Sequence, residues 1–194
     1  ENQMDGVNVH ERLDPKTSAE IIHQHVIDGL ALAREHKLPP RIQAFIPEHH
    51  GTLVATYFYN MALRQAEDES QVNEDDYRYP GPKPQSRETA LVMLADGCES
   101  AVRSARPTSA EQIDQIVGKI IQHRLNAGQL DECDLTMRDL QKIRAAFVRM
   151  LESVFHPRVQ YPERGNAKGK PAEPKEGEGA RRSDDEETGR REQP

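Results

Sequence analysis

The spacing of its apolar residues limits this chain more than any other feature of the sequence. Ile113, Ile116, Val117, Ile120, Ile121 and Leu125 recur every three or four positions, which places them on one side of a helix. The stripe begins after Thr108 and Glu111, spaced as a capping box, and ends near Gly128, a residue type that closes helices. The same period returns in "DLTMRDLQKIRAAFVRMLESVFHP", with Leu140, Ile143, Phe147, Met150, Leu151 and Val154 predicted inward. In "RETALVMLADGCESAVRSA" the core face is expected through Leu91, Leu94, Ala95, Cys98 and Val102. No alternating run is long enough for a strand, so the chain is read as all-α.

Three further helical segments precede these. "TSAEIIHQHVIDGLALAREHKLPP" is expected to start on a capping box of Thr17 and Glu20 and to stop at the double proline. Ile22, His25, Val26, Gly29 and Ala33 share its apolar face, whereas His23 and Gln24 point elsewhere. "PRIQAFIPEHH" reads as a short helix begun by Pro40, and "LVATYFYNMALRQAEDE" as a helix rich in aromatic residues. Between the third and fourth helices, "YRYPGPKPQS" is too rich in proline for regular helix and is expected as a stiff extended loop.

Composition changes sharply near the end of the chain. Residues 164–194 hold Gly, Pro and mixed charges with almost nothing to bury, so they are expected to be a disordered tail. Residues 1–163 are long enough for one core. The formal net charge of −7 argues against a nucleic-acid polymer as partner, since phosphate tracking calls for a basic stripe. The two cysteines, Cys98 and Cys133, sit in no metal or redox spacing and suit a reducing, cytoplasmic compartment. No apolar run approaches the ~20 residues that cross a bilayer, and no secretory signal is visible. The first residues, "ENQMDGVNVHERLDP", read as the interior of a larger protein.

Chemistry is concentrated in a few residues. His49 and His50 stand side by side between a proline and a glycine, and the pair has three readings: composition alone, a pH switch, or two metal ligands. His25 on its apolar face is either a packed core histidine or a third nitrogen ligand. Asp96 interrupts the apolar stretch "LVMLADGCES", about 100° off the core line. A carboxylate there needs a hydrogen bond, an ion pair or a cation, unless it sits at the helix rim. Lys83 and Arg87 are candidate phosphate contacts, and Glu48 and Glu99 are candidate partners that orient a histidine. Tyr57, Phe58 and Tyr59 are candidates for stacking on a base, with helix packing the plainer alternative. His156 reads as a turn residue.

Taken in order, "SAEIIHQHVIDGLALA", "LPPRIQAFIPEHHGT", "YFYNMA", "YPGPKPQSRETALVMLADGCESAVRS", "RLNAGQLDECDLT" and "VFHPRVQYPE" resemble the cytoplasmic HD domain of seven-transmembrane HD-domain phosphodiesterases, which hydrolyse cyclic di-AMP. The resemblance implies a helical bundle lacking its N-terminal side and two divalent transition metal ions, iron or manganese. It implies His25, His49 and His50 as ligands of one ion and Asp96 as a ligand of the other, with linear pApA as the product. It also implies a membrane-anchored parent and admits a homodimer. The family's name-giving His-Asp dyad supplies a bridging carboxylate, and no His-Asp dipeptide occurs in this sequence. The chain alone is therefore expected to be nearly or wholly inactive. The competing expectation is a non-catalytic HD-type module that binds a nucleotide or acts as a scaffold.

Overall fold

In the computed structural model, which describes residues 9–155, seven α-helices follow a short 3-10 turn at Val9–Arg12. The charged segment 164–194, the boundary at 163/164 and His156 lie outside the described residues. Helix α1 spans Pro15–Glu35, α2 Pro40–Gln43, α3 Phe45–Glu48, α4 Thr56–Gln65, α5 Arg87–Ala105, α6 Ala110–Asn126 and α7 Met137–Phe155. Among the described residues the sole β feature is an isolated antiparallel bridge between Val54 and Arg78.

The cap of helix α1 lies three residues earlier than expected, at Asp14. The Asp14 side chain accepts the Thr17 N–H at 2.9 Å and Pro15 takes the first helical position, where a fixed φ and a missing N–H cost nothing. Thr17 is thus the capped residue and not the cap. The cap of α6 also shifts by one: Ser109 Oγ accepts the Gln112 N–H at 3.3 Å, and Gln112 Oε1 accepts the Thr108 N–H at 2.7 Å. Helix α5 carries a complete capping box of Ser86 and Thr89, and Thr136 with Asp139 forms the same reciprocal pair before α7. Pro47 splits the expected single short helix, giving α2 and α3 joined at Ala44.

Two apolar cores form. The larger joins α5, α6 and α7 through Ala90, Leu94, Cys98, Val102, Ile113, Val117, Ile121, Leu130, Leu140 and Leu151. The smaller joins α1 and α4 through Ala19, Phe58, Ala62 and Tyr77. On α5 the buried ridge runs through Ala90, Met93, Leu94, Cys98 and Val102, and Leu91 is exposed. Leu91 lies about 100° around the helix from Ala90 and so falls outside the ridge. On α7, Leu140 and Leu151 are buried, whereas Met150 and Val154 face outward. The apolar stripe of α7 is broader than the surface that α5 and α6 offer it. Arg144 of α7 binds Asp114 of α6 through two hydrogen bonds, Nε–Oδ1 at 2.8 Å and Nη2–Oδ2 at 2.6 Å. Both side chains are exposed, so this pair fixes register more than it adds stability.

Candidate metal centre

His25 lies within α1, beside the buried Val26, and His49 caps the C-terminal end of α3. Each ring is oriented by its own turn of backbone. His25 Nδ1 bonds to the Ile22 carbonyl, and His49 Nδ1 to the Ile46 carbonyl at 2.6 Å. A carbonyl only accepts, so both Nδ1 atoms carry the proton and each Nε2 carries the lone pair. Those two Nε2 atoms face one another 3.4 Å apart. Two nitrogens ~2.1 Å from one tetrahedral ion stand roughly 3.4 Å apart, so the spacing suits a shared cation.

His50 completes the group. One ligand nitrogen from each of His25, His49 and His50 lies within 4.8 Å of the others. The His50 ring stacks on Tyr79, with centroids 4.2 Å apart and planes at 22°. Burial, then the neighbouring His49, His25 and Arg124, lower its pKa to about 3. It is therefore neutral at physiological pH, the form that ligates. Tyr79 is held in place by two backbone bonds, Ala55 N–H to Tyr77 O at 2.7 Å and Tyr79 N–H to Leu53 O at 2.8 Å. His23, expected to point away, packs on Tyr79 with centroids 4.5 Å apart; it stands beside the cluster and not in it.

The three imidazoles open into a cavity of about 610 Å³, whose wall includes Tyr57, Tyr79, Asp96, Ser100 and Arg103. Asp96 thus faces the same cavity but stands outside the tight histidine group. It is also exposed and not buried, because it falls off the α5 ridge and borders hydrated space. Behind it runs Arg124 from α6. A Cβ at Gly97 would meet Arg124 Nη2 at 2.9 Å, so the glycine admits a guanidinium against α5. Burial lowers the Arg124 pKa, and Cys98 and Asp96 act against that shift. Burial pushes the Cys98 thiol up to about 11, and Cys98 belongs to the larger core and not to the cavity wall.

The family model for the HD domain matches residues 5–101. The chain belongs to the HD-domain family. This HD domain is 40% identical, over 163 residues, to cyclic-di-AMP phosphodiesterase PgpH of Bacillus subtilis (strain 168), covering 84% of this chain and 22% of that protein. The chain thus spans about a fifth of the length of the curated relatives it matches. The crystal structure of the L. monocytogenes phosphodiesterase PgpH HD domain superposes with a TM-score of 0.72 at 38% identity, covering 80% of this chain and 71% of that one. The same domain in complex with cyclic-di-AMP gives 0.74 at 38% identity, covering 79% and 70%. The all-α reading and the HD resemblance both hold.

Several other side chains of this HD domain lie away from their expected places. Glu48 is buried, but its Oε2 accepts the Gln85 N–H at 2.8 Å. It anchors the proline loop, whereas backbone carbonyls orient His25 and His49. Glu99 pairs with Arg103 at 3.5 Å. Lys83 Nζ lies 3.9 Å from Asp131, and Arg87 is exposed on the first turn of α5 near Asp139. Neither is among the residues lining the histidine cavity, where the cation is Arg103. Tyr57 and Phe58 reach the cavity wall, but Phe58 belongs to the smaller core and Tyr59 packs beside Tyr77. Arg103, Ser100 and Tyr79 were not singled out from the sequence. The i, i+4, i+7 spacing of Asp96, Ser100 and Arg103 is the signal that marks one helix face.

Proposed function

We propose that this HD domain is the metal-binding portion of a phosphodiesterase that hydrolyses cyclic di-AMP to pApA. The observation that carries the reading is the convergence of three imidazole nitrogens within 4.8 Å, on the wall of a cavity that also holds Asp96 and Arg103. His25, His49 and His50 hold one divalent transition metal, iron or manganese, and Asp96 contributes to a second. Such ions supply charge neutralisation for a phosphodiester and a lowered pKa for water. Arg103 and Ser100 face a phosphate from the same side of α5 as Asp96. Tyr57, 66% exposed, offers a ring for an adenine. Lys83 and Arg87 are left as outer contacts for a ligand that extends beyond the cavity.

No His-Asp dipeptide occurs in the sequence, so the chain alone holds the three-histidine ion without efficient turnover. Joined to a segment carrying that dyad, it binds about two ions. We place the domain on the cytoplasmic side of a membrane-anchored parent. No helix among the described residues is long and apolar enough to cross a membrane.

Elemental analysis and a cyclic di-AMP assay test the reading on the protein extended upstream through the dyad. His49→Ala should lose bound metal and at least ~100-fold in turnover. Turnover that survives in metal-free protein, or in His49→Ala, would sink the hydrolase reading. Binding of cyclic di-AMP with no metal-dependent cleavage would favour the nucleotide-binding module.

A further inference from the structure

The turn that follows the histidine pair is held from far away in the chain. His50 opens it, with the Leu53 N–H bonded to the His50 carbonyl at 3.2 Å. Its middle residues meet Gln129, from the link between α6 and α7, which is 2% exposed. Gln129 Oε1 accepts the Thr52 backbone N–H at 2.9 Å, and Gln129 Nε2 donates to Thr52 Oγ1 at 2.9 Å and to the Ala127 carbonyl at 3.2 Å. Gly51 has φ +55°, and a Cβ there would collide with Gln129 Oε1 and stand 2.7 Å from Met93 Cε. The amide thus lies directly on the backbone of residues 51–52, in space that only a glycine leaves open.

We infer that Gln129 is a positioning residue for the metal centre: it fixes the 51–52 turn and, through it, the direction in which His50 presents its ring. This rests on the proposal that His25, His49 and His50 hold a metal. The physical argument is one of leverage. His25 and His49 are each set by a carbonyl three residues back in their own helical turn. His50 has an aromatic backing in Tyr79, and a stacked face limits tilt more than it limits sliding. The neighbouring backbone supplies what remains, and the Gln129 amide fixes that backbone at Thr52. A buried amide with both ends bonded is rigid, and leaving either end unmet is costly. Misplacing one ligand by a fraction of an ångström weakens binding without unfolding the site.

The test compares Gln129→Leu, which keeps the volume and removes the bonds, with Thr52→Val, which removes only the hydroxyl. Val117→Ala, in the larger core and away from the turn, is the control for lost stability. Cobalt(II) is titrated into each chain and followed by its visible absorption, and the His50 ring signals are compared by NMR without metal. Gln129→Leu should weaken cobalt binding about 10–100-fold and shift the His50 signals. Thr52→Val should do so less, and it carries the test if the leucine variant fails to fold. Val117→Ala should bind as the wild type does, despite its lower melting temperature. Unchanged affinity in both turn variants, or equal weakening in the control, overturns the inference. Should the wild type take up no cobalt while the His50 signals still move in the turn variants, the metal reading falls and the positioning role stands. Signals that stay in place remove the positioning role as well.

Discussion

His25 and His49 are set by the same local device, an Nδ1–H given to the carbonyl three residues earlier, so each helix turn aims its own imidazole. His50 is set by burial and stacking, and its depressed pKa has a consequence for stability. Between its ordinary value of 6.5 and about 3, the unfolded chain takes up a proton that the folded chain refuses. Stability is therefore fully present above about pH 6.5 and falls by up to ~1.4 kcal/mol per pH unit as the solution is acidified through that window. Urea unfolding at pH 7 and pH 5, with chelator present, should show a lower midpoint at pH 5. His50→Phe should flatten the slope, leaving the smaller share from the half-buried His23 and the more exposed His123, whose pKa values are lowered in the same direction. At this scale the sequence was informative where the clustered side chains are adjacent or lie on a predicted apolar helix face, as with His49, His50 and His25. It was silent on Tyr79, Arg124 and Gln129, which reach the centre from segments remote in sequence.

Helices show a different balance. The period of apolar residues located α5, α6 and α7 because each buries one face against the others. It overstated the width of the α7 stripe, since Met150 and Val154 have no partner surface among the described residues. Caps were legible as a cluster of Ser, Thr and Asp, but not which member would act. Asp14 wins over Thr17 because Pro15 follows it, and a proline is best placed directly after the capping residue. At α5 the box of Ser86 and Thr89 starts the helix that carries Asp96, Ser100 and Arg103. Ser86→Ala should cost about 1 kcal/mol, measured as a lower urea midpoint with an unchanged denaturant slope. A shift of less than a few tenths would mean that the Thr89 half of the box suffices.

Over the whole molecule, the larger core unites the last three helices and the smaller joins α1 to α4. The histidine cluster draws on α1 and on the turn after α3, and Asp96 faces its cavity from α5. An ion bound there ties elements of both cores in the folded chain and has no such site in the unfolded one. At free metal about 100 times its dissociation constant, stability should rise by ~2.7 kcal/mol. Calorimetry should show an upward shift in melting temperature with manganese or cobalt that EDTA reverses. His25→Ala should abolish the shift. A metal-induced shift of equal size in that variant would place the ion elsewhere.

The short backbone pairing of Leu53 and Ala55 with Tyr77 and Tyr79 ties a knot at the base of everything between them. Residues 59–76 leave the histidine cluster and come back to it at a fixed point, so the length of their detour does not bear on where the three imidazoles sit. Extra sequence spliced in just after α4, around Glu67, would lengthen the excursion and leave the ring behind His50 where it is. Nature and engineers alike have there a place to attach new parts to an old frame.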